Sequence, residues 1–217
     1  MNEEEKQNGK FYKFAAGKGV MNLPNKLTLI RVAMIPVFIL FFYLHFTAHY
    51  FVALAVFALA SFTDMLDGMI ARKYKLVTNL GKFLDPIADK VLVLSAFVVF
   101  LTVPATFTAN LGSWAIIVAG CGVAAILARE IIISGFRMVA AKAEKVIAAD
   151  NIGKYKTVTQ YISIIVLLIG LGVSELTAHI TCAIINYIGL GFFVLCVILT
   201  VISGINYIVK NIEVLKQ

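Results

Sequence analysis

The 217-residue chain is 61% hydrophobic and 14% charged, with 19 Lys and Arg against 12 Asp and Glu and a net charge of +7. Soluble domains sit at roughly 45–50% apolar and about 25% charged, and one small core cannot hide this much apolar surface from water. A soluble enzyme, a disordered chain and a disulfide scaffold are excluded; Cys121, Cys182 and Cys196 lie in apolar runs and read as small hydrophobes, not as a framework or a metal cluster. The class implied is an all-α, polytopic membrane protein.

In chain order, residues 1–20 form a cytoplasmic juxtamembrane segment. Glu3, Glu4 and Glu5 with no apolar run behind them exclude a cleavable signal peptide. Phe11, Tyr12 and Phe14 among Lys10, Lys13 and Lys18 suit either a segment lying on an anionic leaflet or a loose terminus. Residues 32–63, 91–128, 157–174 and 176–209 carry no Asp, Glu, Lys or Arg. At about 20 apolar residues per crossing, and with turns at His45–His49 and from Pro104 to Gly112, they predict six helices. These are 27–46, 49–71, 83–104, 113–135, 156–174 and 182–209 of one domain over 21–217. Asp85-Pro86 reads as the N-cap and first helical position of the third.

All nineteen Lys and Arg fall on one side of this layout: from Lys6 to Arg31, around 72–82 through Lys90, from Arg129 to Lys156, and at Lys210 and Lys216. The opposite connections near 45–50, 104–113 and 174–181 have none, which places both termini in the cytoplasm. Topology accounts for the net charge without nucleic acid as a partner. His45, His49 and His179 read as interfacial loop residues, and no internal repeat is evident.

Four aspartates stand at the inner ends of the second and third helices. A charge at membrane depth costs about 2.5–3.5 kcal/mol on insertion scales. Asp64 and Asp67 are three apart and Asp85 and Asp89 four apart, so each pair shares a helix face. A short connection makes the helices antiparallel neighbours with the carboxylates converging. Ordinary salt bridges to Arg72, Lys82 and Lys90 would explain one such acid, whereas four phased acids call for a divalent cation. Hard oxygen donors favour Mg²⁺, with Mn²⁺ or Ca²⁺ as alternatives, and two bridged ions make a clamp for phosphoryl chemistry. Gly68 and Gly81 beside the acids open space for a ligand, though either alone would equally serve close helix packing.

The string Asp64-x2-Asp67-Gly68-x2-Ala71-Arg72-x8-Gly81-x3-Asp85-x3-Asp89 resembles, without a departure, the signature of the CDP-alcohol phosphotransferase family. The resemblance implies six membrane helices, a homodimer, a cytoplasmic-face site, and transfer of a phosphatidyl or similar group from a CDP-linked donor to an alcohol with release of CMP. It implies that Asp64, Asp67 and Asp85 hold two Mg²⁺ or Mn²⁺ ions, with Asp89 a further ligand or the general base; Asp85 and Asp89 are then the catalytic pair. Gly68 and Gly81 make room for the nucleotide, Ala71 packs close, and Arg72, Asn25 and Thr28 order the donor side.

Three further patches place cations at the depth of the aspartates: Arg31 early in the first helix, Arg129 and Arg137 at the inner end of the fourth, and Lys154 and Lys156 at the start of the fifth. Snorkelling explains Lys142, Lys145, Lys210 and Lys216. It serves less well for Arg129, about two turns deeper than Arg137 and beside Glu130, a sequence neighbour rather than an i,i+4 partner. Arg129 is thus expected to be unpaired until a ligand arrives. An anion pocket implies an acceptor bearing its own phosphate. The strings Pro24-Asn25-x2-Thr28-x2-Arg31, Arg129-Glu130-x3-Ser134-Gly135-x-Arg137 and Gly153-Lys154-x-Lys156-Thr157 are similar to the bacterial branch of that family that makes phosphatidylglycerophosphate. They imply CDP-diacylglycerol as donor, sn-glycerol 3-phosphate as acceptor, and the bacterial cell membrane as location.

Two rivals remain at this level. A sibling enzyme using inositol phosphate would share every metal residue. A divalent-cation or proton-coupled transporter would also carry intramembrane acids, but these lie at the inner helix ends, and neither a path across nor an inverted repeat is evident.

Overall fold

The computed structural model describes residues 22–74, 79–103, 106–107, 112, 114–142, 151–176 and 180–211. Among them there is no strand. Six long helices follow in order: α1 (Leu23–Tyr43), α2 (His49–Tyr74), α3 (Asn79–Leu101), α4 (Trp114–Lys142), α5 (Asn151–Leu176) and α6 (Ile180–Asn211). Five contain a stretch long and apolar enough to cross a bilayer: Leu23–Tyr43, His49–Ile70, Trp114–Arg137, Ile152–Leu176 and Ala183–Asn211. α3 has the length, at 23 residues, but Lys82, Asp85, Asp89 and Lys90 occupy its first half. Large apolar side chains on the helix surfaces, such as Ile117 at 68% and Ile131 at 63% exposure on α4, are where acyl chains replace water as the solvent.

The helices start where local chemistry allows, in places earlier than hydropathy alone indicates. α1 begins at Leu23, ahead of the expected residue 27, because Asn22 caps it: its side-chain oxygen accepts the Asn25 N–H at 3.0 Å, and Pro24 follows in the first turn. α3 likewise begins at Asn79. Asp85 is therefore not its N-cap, and Pro86 sits inside the helix, where it cannot donate to the Lys82 carbonyl.

Helix contacts group the chain into two units, Met1–Ser95 and Ala96–Gln217. In the first, α1 pairs with α2 through buried aromatics. Phe38 lies 6.1 Å from Phe42 and 5.9 Å from Phe57 between ring centroids. The second is built on the α5–α6 pair, with α4 against α6. Phe193 of α6 meets Phe97 and Phe107, each at 5.4 Å. Nearer the other end of α6, Ile133 and Phe136 of α4 pack on Tyr207.

The α5–α6 seam depends on small residues, as membrane helices require where backbones approach closely. Ser163 donates to the Gly189 carbonyl at 3.1 Å across it. A Cβ on Gly189 would stand 2.8 Å from Leu167 Cδ2 and 3.2 Å from the Leu167 backbone nitrogen, whereas one on Gly191 meets nothing within 4 Å. Gly189→Ala is expected to destabilise the detergent-solubilised protein by about 1–3 kcal/mol, the usual cost of overpacking, while Gly191→Ala leaves the thermal midpoint unchanged or slightly raised. Equal midpoints for the two variants would contradict the seam.

Candidate active site

In the first unit the opening of α1 turns a polar face inward. Asn25, Thr28 and Arg31, at spacings of three, are all buried, and the Thr28 hydroxyl donates to the Pro24 carbonyl at 3.1 Å. A fully buried arginine near a membrane helix end needs a counter-charge. Arg31 Nη1 finds it in Asp64 Oδ1 of α2, at 2.5 Å. Arg31, expected among the acceptor-phosphate cations, and Asp64, expected as a metal ligand, are thereby joined.

The rest of the acidic set is placed by backbone. α2 carries Asp64, Asp67 and Gly68 in unbroken helix, and α3 carries Gly81, which is buried, then Asp85 and Asp89. The expected three- and four-residue phasing is thus present. The side chains of Asp67, Ala71, Arg72 and Asp85 lie outside the described ones, so convergence of the four carboxylates does too. Among the described residues no group of three or more His, Cys, Asp and Glu gathers as a metal site. As a donor set, four carboxylates phased on two consecutive helices suit a hard divalent cation.

The second unit holds Arg129, Arg137, Lys154 and Lys156. In the C-terminal half of α4, Arg129 Nη1 donates to Glu130 Oε1 at 3.2 Å, and Nη2 donates to Ser203 Oγ of α6 at 2.7 Å. Lys156 of α5 donates to the same Glu130 oxygen. Lys156 is 3% exposed and Glu130 7%. Arg129 is therefore not unpaired, contrary to the sequence expectation: its long side chain folds back on its neighbour, and a serine 74 positions on completes its setting. Arg137 and Lys154 are exposed, with the Arg137 guanidinium 6.0 Å over the Tyr207 ring. The structure brings Arg129 and Lys156 together and leaves Arg137 and Lys154 on the surface.

Glu130 and Ser203 belong to this cluster. From sequence Glu130 reads only as the neighbour of Arg129 and not as a site residue, and Ser203 is not singled out, being one small residue among many in α6. Glycines shape the cluster: a Cβ on Gly204 would sit 3.1 Å from Arg129 Cγ, and one on Gly153 would sit 3.4 Å from Arg129 Nη2.

The model of one protein family, CDP-alcohol phosphatidyltransferase, matches residues 21–202. The chain belongs to the CDP-alcohol phosphatidyltransferase family. Its acidic signature and its buried cation cluster both fall within the matched region. Similar family members come from several bacteria. One from Bacillus subtilis (strain 168) is 37% identical over 210 residues, covering 91% of this chain and 98% of its own. One from Escherichia coli (strain K12) is 36% identical over 189 residues, covering 86% and 93%. One from Sodalis glossinidius is 41% identical over 150 residues, covering 68% and 77%. All three carry the name CDP-diacylglycerol–glycerol-3-phosphate 3-phosphatidyltransferase.

The Arg31–Asp64 pair is unequal in burial, with side-chain exposures of 0% and 39%, and that sets an order of effects. Asp64→Asn takes its carboxylate from a fully buried guanidinium, whereas Arg31→Met removes the buried charge itself and leaves a partly solvated acid. In metal-free detergent solution, Asp64→Asn is expected to lower the thermal midpoint more than Arg31→Met; the reverse order would show that the pair does not hold α1 to α2.

Proposed function

We propose that the protein transfers the phosphatidyl group of CDP-diacylglycerol to sn-glycerol 3-phosphate, giving phosphatidylglycerophosphate and CMP. The observation that carries this is the 37% identity, over nearly the whole of both chains, to a relative named for that reaction. The buried Arg129–Glu130–Lys156 cluster adds support, because it offers cations suited to an acceptor with its own phosphate.

Asp64, Asp67 and Asp85 would hold two divalent cations, Mg²⁺ by donor chemistry with Mn²⁺ as the alternative, and Asp89 beside them would serve as the base. Bound there, the metal supplies charge neutralisation on the pyrophosphate and stabilises CMP as leaving group. The chain's own side chains do the rest. Arg31 holds Asp64 in place. Gly68 and Gly81 leave room for the nucleotide, and Asn25, Thr28, Ala71 and Arg72 shape the donor side. Asp89 takes the proton from the acceptor hydroxyl as that oxygen attacks the phosphatidyl phosphorus and the bond to the CMP oxygen breaks. Arg129 and Lys156 fix the acceptor's phosphate, with the exposed Arg137 and Lys154 available to draw it in. The one-sided distribution of Lys and Arg supports a site and both termini at the cytoplasmic face of a bacterial cell membrane. The family resemblance supports a homodimer.

Purified protein given CDP-diacylglycerol and Mg²⁺ is expected to release CMP with glycerol 3-phosphate, and not with serine or inositol phosphate. Asp67→Ala and Asp85→Ala should each lower turnover by at least about a hundredfold, the scale of a lost electrostatic clamp, without loss of the folded state. Release with inositol phosphate instead would keep the acidic site and overturn the acceptor. Fully active variants would overturn the clamp.

A further inference from the structure

We infer that Glu130 is the positioning residue of the acceptor site, holding Arg129 and Lys156 side by side so that one phosphate monoester meets both. This rests on the reading of those two cations as the acceptor's phosphate site. Neither would stay beside the other unaided, since like charges repel strongly where water is excluded. Glu130 Oε1 accepts from Arg129 Nη1 at 3.2 Å and also from Lys156 Nζ. One carboxylate oxygen thus ties α4 to α5 and makes the twin-cation arrangement tolerable.

Among the described residues, the two cations and one carboxylate of the cluster leave a net charge of +1, and a phosphate monoester brings about −1.5 to −2. Arg129 Nε is buried with no hydrogen-bond partner among the described residues, a donor that a bound oxyanion or water would satisfy. The guanidinium is steadied from α6 as well, through its 2.7 Å hydrogen bond to the fully buried Ser203. Gly204 leaves the space its aliphatic stem occupies, because a Cβ there would lie 3.1 Å from Arg129 Cγ. Three helices therefore set one arginine, which a surface cation serving only topology does not need. Glu130 does not touch the reacting atoms; it acts through the two residues it holds.

A purely structural pin between α4 and α5 would lose stability or turnover without favouring either substrate, so the test is the split between the two KM values. Wild-type protein first establishes whether glycerol 3-phosphate supports CMP release; failure there overturns the proposed function rather than Glu130's role. With that activity in hand, KM for glycerol 3-phosphate and for CDP-diacylglycerol is measured in Glu130→Gln, Glu130→Asp and Ser203→Ala, with size-exclusion profile and thermal midpoint as checks on folding. Glu130→Gln is expected to raise the glycerol 3-phosphate KM about tenfold to a hundredfold, the range of one charge-assisted hydrogen bond. The CDP-diacylglycerol KM should stay within about twofold. Glu130→Asp should recover part of the loss, and Ser203→Ala should shift the same KM in the same direction by less. Parallel rises in both KM values, or a fall in kcat alone, would overturn the proposal. Should Glu130→Gln fail to fold, Ser203→Ala decides: a selective rise supports the positioning role and a wild-type KM overturns it.

Discussion

A charge at membrane depth must be compensated within the protein, and that requirement joins α1 to α2 and α4 to α5 and α6. Water is not at hand to solvate a guanidinium or a carboxylate there, so an unpaired one costs several kcal/mol. Arg31, fully buried, is held by Asp64 across α1 and α2. Arg129 and Lys156 are held by Glu130 across α4 and α5, with Ser203 reaching in from α6. In each case the compensating contact also joins helices, so the groups suited to binding anions and cations are part of what fixes the packing.

The remaining architecture serves those contacts. The uncharged halves pack by aromatic and small-residue contacts, Phe38 on Phe57 in one unit and Gly189 under Leu167 in the other. Such contacts supply van der Waals energy where lipid removes most of the hydrophobic drive. The polar and charged residues are concentrated at the openings of α1, α3 and α5, the C-terminal part of α4 and the C-terminal end of α2. That segregation suits chemistry on a substrate with one apolar and one highly charged part. A CDP-linked lipid is of that kind.

Much of this was legible in the sequence because burial in lipid leaves a coarse signal. Long uncharged runs gave six helices in the right order. The acidic signature pointed to the family that the 21–202 match assigns. Local backbone chemistry was harder to read. Asn22 and Pro24 start α1 ahead of its apolar run, and helix continues through Pro86 because α3 starts back at Asn79. Hardest were contacts between residues far apart in sequence. The spacing of Arg129 and Glu130 indicated no partnership, since neighbours on a helix point apart. Only the fold brings Lys156 and Ser203 to the same place, 26 and 74 positions from their partners.

The most direct test is metal binding by the acidic set, separated from turnover. Mn²⁺ titrated into the purified protein and followed by electron paramagnetic resonance should show saturable binding approaching about two ions per chain, the number a two-metal clamp requires. Binding should be lost in folded Asp67→Ala. Saturation that persists unchanged in that variant, or its absence from active wild-type protein, would contradict the clamp and return the four aspartates to ordinary ion pairing.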